Sequence, residues 1–114
     1  MPFTVVEYIR EDGSNPYRAW FDGLDPQAAA KIVTAVMRLR LGNTSNLKGI
    51  GTITEYRINW GPGYRIYLAE DGNAWVLLGG GTKRRHRAEI EQAKARSAEY
   101  TRRKSGRRSG ECKR

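Results

Sequence analysis

The chain has 114 residues, 39% of them apolar, and carries a formal net charge of +9 at pH 7. This length fits one domain with a modest core and excludes a second domain. No stretch approaches the ~20 apolar residues that a membrane helix requires. The N-terminal MPFTVVEYIREDG lacks the basic start and the apolar run of a signal peptide. We therefore predict a cytoplasmic protein that does not enter a membrane.

The positive charge is concentrated near the C-terminus. Residues 101–114 hold seven basic side chains and one acidic one, whereas residues 1–100 hold 14 basic and 11 acidic ones. Such a block either attracts a polyanion, nucleic acid first, or is a solvated tail. We predict a domain over 1–100 followed by a basic, flexible tail over 101–114. The single cysteine, Cys112, is an incidental thiol in that tail; no metal site and no cofactor are predicted.

The first third of the chain alternates between strand and helix signals. Residues 3–9 are rich in β-branched and aromatic side chains and predict a strand, after which turn residues lead into a short helix over 16–24. Asp25 followed by Pro26 is typical of a helix start, with a cap before a first-turn proline. The apolar spacing beyond it predicts a helix over 26–41.

The remainder of the chain predicts three strands and a final helix. After a polar loop over 42–52, strand-like runs cover 52–60, 64–70 and 74–80, and residues 86–104 have a helical pattern. The Gly-Pro-Gly and Asp-Gly-Asn turns between these strands are short, so neighbouring strands must be antiparallel. The order β-α-α-β-β-β-α predicts an α+β domain whose antiparallel sheet packs against helices on one face.

Alternation along the two middle strands places polar side chains on a single face of the sheet. Four residues share the face that we expect to be open to solvent: Glu55, Arg57, Arg65 and Tyr67. The end of the third strand delivers more basic groups beside them: Lys83, Arg84, Arg85 and His86. Because Glu55 is the sole carboxylate in this group, we expect a bound anion to relieve the repulsion among the cations.

The segment GGGTK, residues 79–83, precedes the last helix. Consecutive glycines allow the backbone to pass close to a bulky group or to adopt positive φ. The Walker pattern GxxxxGK[ST] is absent, so the lysine alone is a weak signal for phosphate. The alternatives are a flexible connector and a loop that exposes Lys83 and Arg84 at the edge of the sheet.

Three motifs carry a family resemblance: LKGIG before the sheet, EYRINWGPGYRIY in the hairpin and LLGGGTK before the last helix. Together they resemble the RelE/ParE superfamily of bacterial toxins from type II toxin–antitoxin systems. The chain is most similar to the HigB-like, phage-derived branch called addiction-module killer proteins. The resemblance covers residues 3–104.

The resemblance implies a small α+β fold with two N-terminal helices and an antiparallel sheet. It also implies a metal-independent mRNA interferase, an endoribonuclease that inhibits translation by cutting mRNA, commonly in the ribosomal A site. The ribose 2′-OH attacks the adjacent phosphate and leaves a cyclic phosphate and a 5′-OH end. A cognate antitoxin of helix-turn-helix type would bind the toxin in a hetero-oligomeric complex.

The matching positions imply roles for six residues. Four cations would hold the scissile phosphate: Arg57, Arg65, Lys83 and Arg84. Glu55 would be the base and His86 the acid, because the reaction removes one proton and supplies another. The residues themselves leave other assignments open. His86 could be a surface histidine in the first turn of a helix, and Glu55 could form a cross-strand salt bridge with Arg65.

Two other functions stay open. The ParE branch shares the fold and poisons DNA gyrase by binding, without needing phosphate-cleaving residues. A degenerate toxin would persist as an antitoxin-binding module. The cationic surface expected around Arg65 and Lys83 favours the nuclease.

Overall fold

The computed structural model describes the backbone of residues 3–112 and their side chains, except those of Arg85 and of residues 105–112. The elements follow in this order: β1 (Thr4–Glu7), α1 (Pro16–Asp22), α2 (Pro26–Arg40), β2 (Leu47–Ile50), β3 (Ile53–Ile58), β4 (Tyr64–Asp71), β5 (Ala74–Thr82), a 3₁₀ turn (Lys83–Arg85) and α3 (His86–Cys112).

The five strands form one mixed sheet in the order β1-β5-β4-β3-β2. Strands β2 to β5 pair antiparallel, whereas β1 lies parallel to β5, with Val5 opposite Trp75. The α+β class is confirmed, but the prediction of a wholly antiparallel sheet is wrong. A parallel pair requires a long crossover, and here α1, α2 and three strands lie between the two partners along the chain.

Strand β2 lies within the segment 42–52, which the sequence predicted as a loop. It forms a tight hairpin with β3, in which Ile50 is opposite Ile53 and Gly51 occupies the turn with a φ of +63°. Glycine adopts such a φ without steric cost. The short Leu-Lys-Gly-Ile run lacks the alternation that marks a half-buried strand, and this explains the wrong prediction.

Both N-terminal helices begin at capped positions. The side chain of Asn15 accepts a hydrogen bond from Arg18 N at 3.0 Å, and that of Asp25 accepts one from Ala28 N at 2.9 Å. Each cap satisfies a backbone N–H that the first turn leaves without an intrahelical acceptor. The predicted helix start at Asp25 and Pro26 is confirmed.

The helices pack on both faces of the sheet, so the prediction that they cover only one face is wrong. On one face, α1 and α2 pack with the strands around a core of Tyr17, Ile32, Ala35, Leu39, Tyr56, Ile66, Leu68, Trp75 and Leu77. On the other face, α3 completes a second core of Tyr8, Ile53, Tyr67, Ala69, Val76, Leu78, Ile90 and Ala93. The face that we expected to be open is covered by α3.

Polar contacts hold α3 on the sheet together with this second core. Tyr8 OH donates to Glu99 Oε1 at 2.7 Å, and Tyr100 OH donates to Asp71 Oδ2 at 2.8 Å. Lys104 pairs with the same Asp71 carboxylate. A helix with so many charged residues has a sequence typical of a solvated helix, so hydropathy gave no signal that it covers a sheet face.

The backbone of α3 continues without interruption past residue 100 as far as Cys112. The helix therefore includes most of the basic segment 101–114. Residues 113 and 114 lie outside the described part of the chain, and the flexibility of the segment stays a prediction. None of the described helices is both long enough and apolar enough to cross a bilayer.

The glycines of the GGGTK segment belong to strand β5 and let bulky groups approach it from both faces. A Cβ atom on Gly80 would lie 2.3 Å from ring carbons of Trp20, and one on Gly81 would lie 2.0 Å from Glu89 Oε1. A side chain at either position would force Trp20 or Glu89 to move, so close approach rather than loop flexibility explains these glycines. The contacts seat α1 and α3 directly against the β5 backbone.

Candidate active site around Glu55

Glu55 lies where β3, β4 and the start of α3 meet. Its side chain is 0% exposed, and its carboxylate forms ion pairs with Arg57 and Arg65 and lies within hydrogen-bond distance of His86. Glu55 Oε1 lies 2.7 Å from Arg57 Nε and 2.8 Å from Arg65 Nη1. Glu55 Oε2 lies 3.0 Å from His86 Nε2. These four residues are called the Glu55 cluster below.

Strand pairing and helix docking bring the cluster together. Arg57 follows Glu55 by two positions and therefore points to the same face of β3. Arg65 on β4 lies opposite Arg57 in the strand register and reaches diagonally to Glu55. His86 is the first residue of α3, so its position depends on the docking of that helix. The salt bridge between Glu55 and Arg65 that the sequence suggested is confirmed.

The cluster has a buried floor and a partly exposed rim. The Arg65 side chain is 10% exposed, whereas those of His86 and Arg57 are 35% and 43% exposed. Arg65 Nη1 is buried and makes no hydrogen bond of good geometry to the described residues, so its contact with Glu55 is an ion pair alone. The prediction of an open surface is wrong for Glu55, Arg65 and Tyr67, because α3 covers them.

Glu55 is ionised at neutral pH. Burial raises the pKa of its carboxyl, but the hydrogen bond from Arg57 and the close contact with the charged Arg65, together with the effect of His86, lower it by more, and the resulting pKa lies below the ordinary value of 4.5. The sequence predicted Glu55 as the sole carboxylate among these cations, and Glu55 pairs with both arginines. Two guanidinium groups against one carboxylate still leave the cluster positive.

Lys83 and Arg84 lie beside the cluster, on the 3₁₀ turn between β5 and α3. Both residues are exposed, and neither forms an ion pair with a carboxylate of the described side chains. Lys83 N donates to Gly63 O at 2.9 Å, which fastens the Gly-Pro-Gly turn to the end of β5. The six residues predicted as site residues are thus grouped at one end of the sheet.

Sequence reasoning missed a second carboxylate near the cluster, that of Glu89. Tyr67 OH donates to Glu89 Oε1 at 3.4 Å, and Tyr67 lies opposite Glu55 in the β3–β4 register. Burial, with the negative charges of Glu89 and Glu55, raises the pKa of Tyr67, so its phenol stays protonated at neutral pH. The only signal in the sequence was an acidic residue three positions after His86. The structure shows that this residue lies next to Gly81.

The chemistry available to these side chains is proton transfer and anion binding. Within the part of the chain whose side chains are described, no three His, Cys, Asp or Glu residues gather as the ligands of a metal ion would. The His86 imidazole has two ring nitrogens and can serve as a proton acceptor or donor. The exposed groups of Arg57, Lys83 and Arg84 can form charge-assisted hydrogen bonds to an anion such as a phosphate.

Fold and site together define a small α+β domain in which a buried carboxylate binds two arginines and a histidine. No family model matches the chain. Over 81 residues the chain is 38% identical to an uncharacterised protein of Haemophilus influenzae, a match that spans 68% of this chain and 82% of that protein. The chain belongs to the same family as this Haemophilus influenzae protein.

Proposed function

We propose that the protein is a metal-independent endoribonuclease, an mRNA interferase of the RelE/ParE superfamily, and that it is the toxin of a type II toxin–antitoxin system. The observation that carries this proposal is the contact of 3.0 Å between His86 Nε2 and the buried Glu55 Oε2. Attack of a ribose 2′-OH on the adjacent phosphodiester requires a group that transfers protons and cations that stabilise the phosphate charge. A partly exposed histidine oriented by a carboxylate can transfer the protons, and Lys83 and Arg84, which lack acidic partners among the described side chains, can stabilise the charge.

Burial of Glu55 changes the roles expected from the sequence. A carboxylate with no exposed surface does not touch the substrate, so we assign Glu55 to orienting His86 rather than to the base. With Nε2 bonded to Glu55, no described residue bonds to His86 Nδ1, which leaves Nδ1 for the substrate. His86 accepts the 2′-OH proton as that oxygen attacks phosphorus, and then donates it to the departing 5′-oxygen. The negative charge of Glu55 stabilises the imidazolium between these two steps.

The cations divide into two groups by exposure. Arg57, Lys83 and Arg84 reach the surface and would stabilise the negative charge that develops on the phosphate oxygens. Arg65 lies beneath Glu55 and holds that carboxylate in place. The proposal therefore moves Arg65 from binding the phosphate to supporting the residue that orients His86.

The proposal also includes the partners that the family resemblance implies. The substrate would be mRNA, bound on the ribosome in the cytoplasm. A cognate antitoxin of helix-turn-helix type would neutralise the activity in a hetero-oligomeric complex. The cationic rim that attracts phosphate would attract acidic antitoxin side chains for the same electrostatic reason.

The test is cleavage of a defined mRNA by the purified chain, with and without ribosomes, with mapping of the new 5′-OH ends. We expect His86→Ala to lower the cleavage rate by about 10²–10⁴-fold, which is the usual contribution of a general acid–base residue. Arg87→Ala is the matched control, because Arg87 is the next residue of α3, is exposed and lies outside the cluster. Uncleaved RNA with the parent chain in both conditions would contradict the proposal.

One observation favours a second candidate function. Because Glu55 pairs with Arg57, Arg65 and His86, the cluster can stabilise the fold without taking part in a reaction. The protein would then act only by binding. Such a protein would be a gyrase poison or an antitoxin-binding module. Intact RNA together with inhibited supercoiling by gyrase would support the poison, and the absence of both effects would support the module.

A further inference from the structure

A polar cleft of about 230 Å³ lies between α2 and the end of β3. We call it the Trp60 cleft, after the aromatic residue at its mouth. The side chains that matter for its chemistry are those of Lys31, Arg38, Asn46, Asn59 and Trp60. They combine a flat ring, two amides and two cations in one depression.

Trp60 is held as a platform by a neighbouring ring. It stacks on Tyr64, with 6.1 Å between ring centroids and 22° between ring planes, and Tyr64 in turn contacts Trp20 edge-on. Trp60 is only partly buried. Lys31 Nζ lies 5.8 Å from its ring centroid, within the range of a cation–π contact. A fixed, partly exposed indole beside a cation suits stacking of a nucleic-acid base.

Apart from the contact of Lys31 with the Trp60 ring, the polar groups around that ring have no partners within the described part of the chain. The side chains of Asn46 and Asn59 form no hydrogen bond there, and neither Lys31 nor Arg38 forms an ion pair. Arg18, by contrast, pairs with Glu7. The cleft therefore keeps its hydrogen-bonding capacity and its positive charge for a ligand with a flat ring and an anionic group.

The Trp60 cleft is joined to the candidate active site through the backbone. Gly63 N donates to Trp60 O at 3.1 Å, and Lys83 N donates to Gly63 O at 2.9 Å. The backbone of Gly63 therefore links Trp60 to Lys83. On the opposite side, Arg57 N donates to Asn46 O at 3.2 Å. Each end of the cleft is therefore attached to an element that carries a cation proposed to bind phosphate.

We propose that the Trp60 cleft binds the base of a nucleotide that flanks the scissile phosphate of a single-stranded RNA. The base stacks on Trp60, the amides of Asn46 and Asn59 bond to its edge, and Lys31 and Arg38 attract the neighbouring phosphate. This inference rests on the proposed ribonuclease function and deepens it, because the cleft would set the sequence preference of cleavage.

The test uses the full chain with His86→Ala, which removes cleavage, and fluorescently labelled RNA hexamers of four base compositions. Stacking on an aromatic side chain contributes about 1–3 kcal/mol per base, so Trp60→Ala should weaken binding by about 5- to 150-fold. Trp60→Phe should restore most of the affinity, because it keeps an aromatic face. Asn46→Ala and Asn59→Ala should reduce the differences among the four hexamers. A thermal melt of each variant checks that the fold is retained.

The outcomes separate this inference from the proposed function. If the parent chain cleaves RNA and Trp60→Ala changes neither affinity nor cleavage positions, the inference is overturned while the ribonuclease stands. Binding that depends on Trp60 without any cleavage by the parent chain supports the base site and overturns the ribonuclease. If the hexamers do not bind at all, the base site is overturned, whereas the ribonuclease is decided by the cleavage assay with and without ribosomes.

Discussion

Glu55 Oε2 and His86 Nε2 lie 3.0 Å apart although 31 positions of the chain separate the two residues. One is in the middle of β3, and the other begins α3. The contact therefore exists only when α3 is docked on the sheet. In this protein the docking of the last helix and the assembly of the candidate active site are one structural event.

The first prediction concerns the stability of the Glu55 cluster. Glu55→Ala leaves Arg65 buried without its counter-ion, and we expect a loss of about 3–5 kcal/mol in the free energy of unfolding, measured with urea. Glu91→Gln is the control, because Glu91 is exposed and forms only a 3.9 Å pair with Lys94. A Glu55→Ala chain as stable as this control would show that the cluster contributes nothing to folding.

The second prediction concerns the pH dependence of stability. The pKa of Glu55 is lower in the folded chain than its ordinary value of 4.5, so the unfolded chain binds the proton more tightly. The stabilisation by Glu55 is thus fully present above about pH 4.5 and is lost as the pH falls through the folded pKa. Glu55→Gln should reduce the loss of stability as the pH falls. Thermal melts between about pH 2.5 and 7 measure this loss, because that range brackets the titration of carboxyl groups, roughly pH 3 to 5. An unchanged acid limb would contradict this assignment.

The third prediction tests the close packing on β5. Gly80→Ala places a Cβ atom 2.3 Å from ring carbons of Trp20, and such overpacking costs about 1–3 kcal/mol. Gly49→Ala is the matched control in β2, since no atom lies within 4 Å of its added Cβ. Urea unfolding of both variants gives the comparison. Equal stabilities would mean that Trp20 moves aside without cost.

The fourth prediction separates phosphate binding from general surface charge. If Lys83 and Arg84 each contact a phosphate, Lys83→Gln and Arg84→Gln should each reduce the magnitude of the slope of log affinity against log salt by about 0.7, for binding of single-stranded RNA. Arg40→Gln is the control, because Arg40 is exposed at the opposite end of the sheet, where its carbonyl oxygen accepts from Phe3 N. Equal slopes in all three variants would remove both residues from the site.

Local signals in the sequence predicted the elements that depend on neighbouring residues. The cap at Asp25 marked the start of α2, and alternation put Tyr64, Ile66 and Leu68 on the face that packs with α1 and α2. Such features depend on the alternation of side chains along a strand and on hydrogen bonds in the first turn of a helix. Both can be predicted from a few consecutive residues.

Features that depend on distant segments could not be predicted in this way. The parallel pairing of β1 with β5 is a property of the whole sheet. The covering of Glu55 by α3 depends on contacts such as the one between Tyr8 and Glu99, 91 positions apart. The sequence placed Glu55, Arg57 and Arg65 close together, as the structure does, but the burial of Glu55 and Arg65 was missed because a charged helix gives no hydrophobic signal for the face that it covers.

The order in which a ribosome makes this chain gives the position of His86 a further meaning. Glu55, Arg57 and Arg65 are synthesised well before His86, and three quarters of the chain has been polymerised when that residue is added. A nascent polypeptide therefore carries an incomplete constellation until α3 has emerged and folded back onto the sheet. The architecture makes the finished constellation depend on a segment that is synthesised after all the strands.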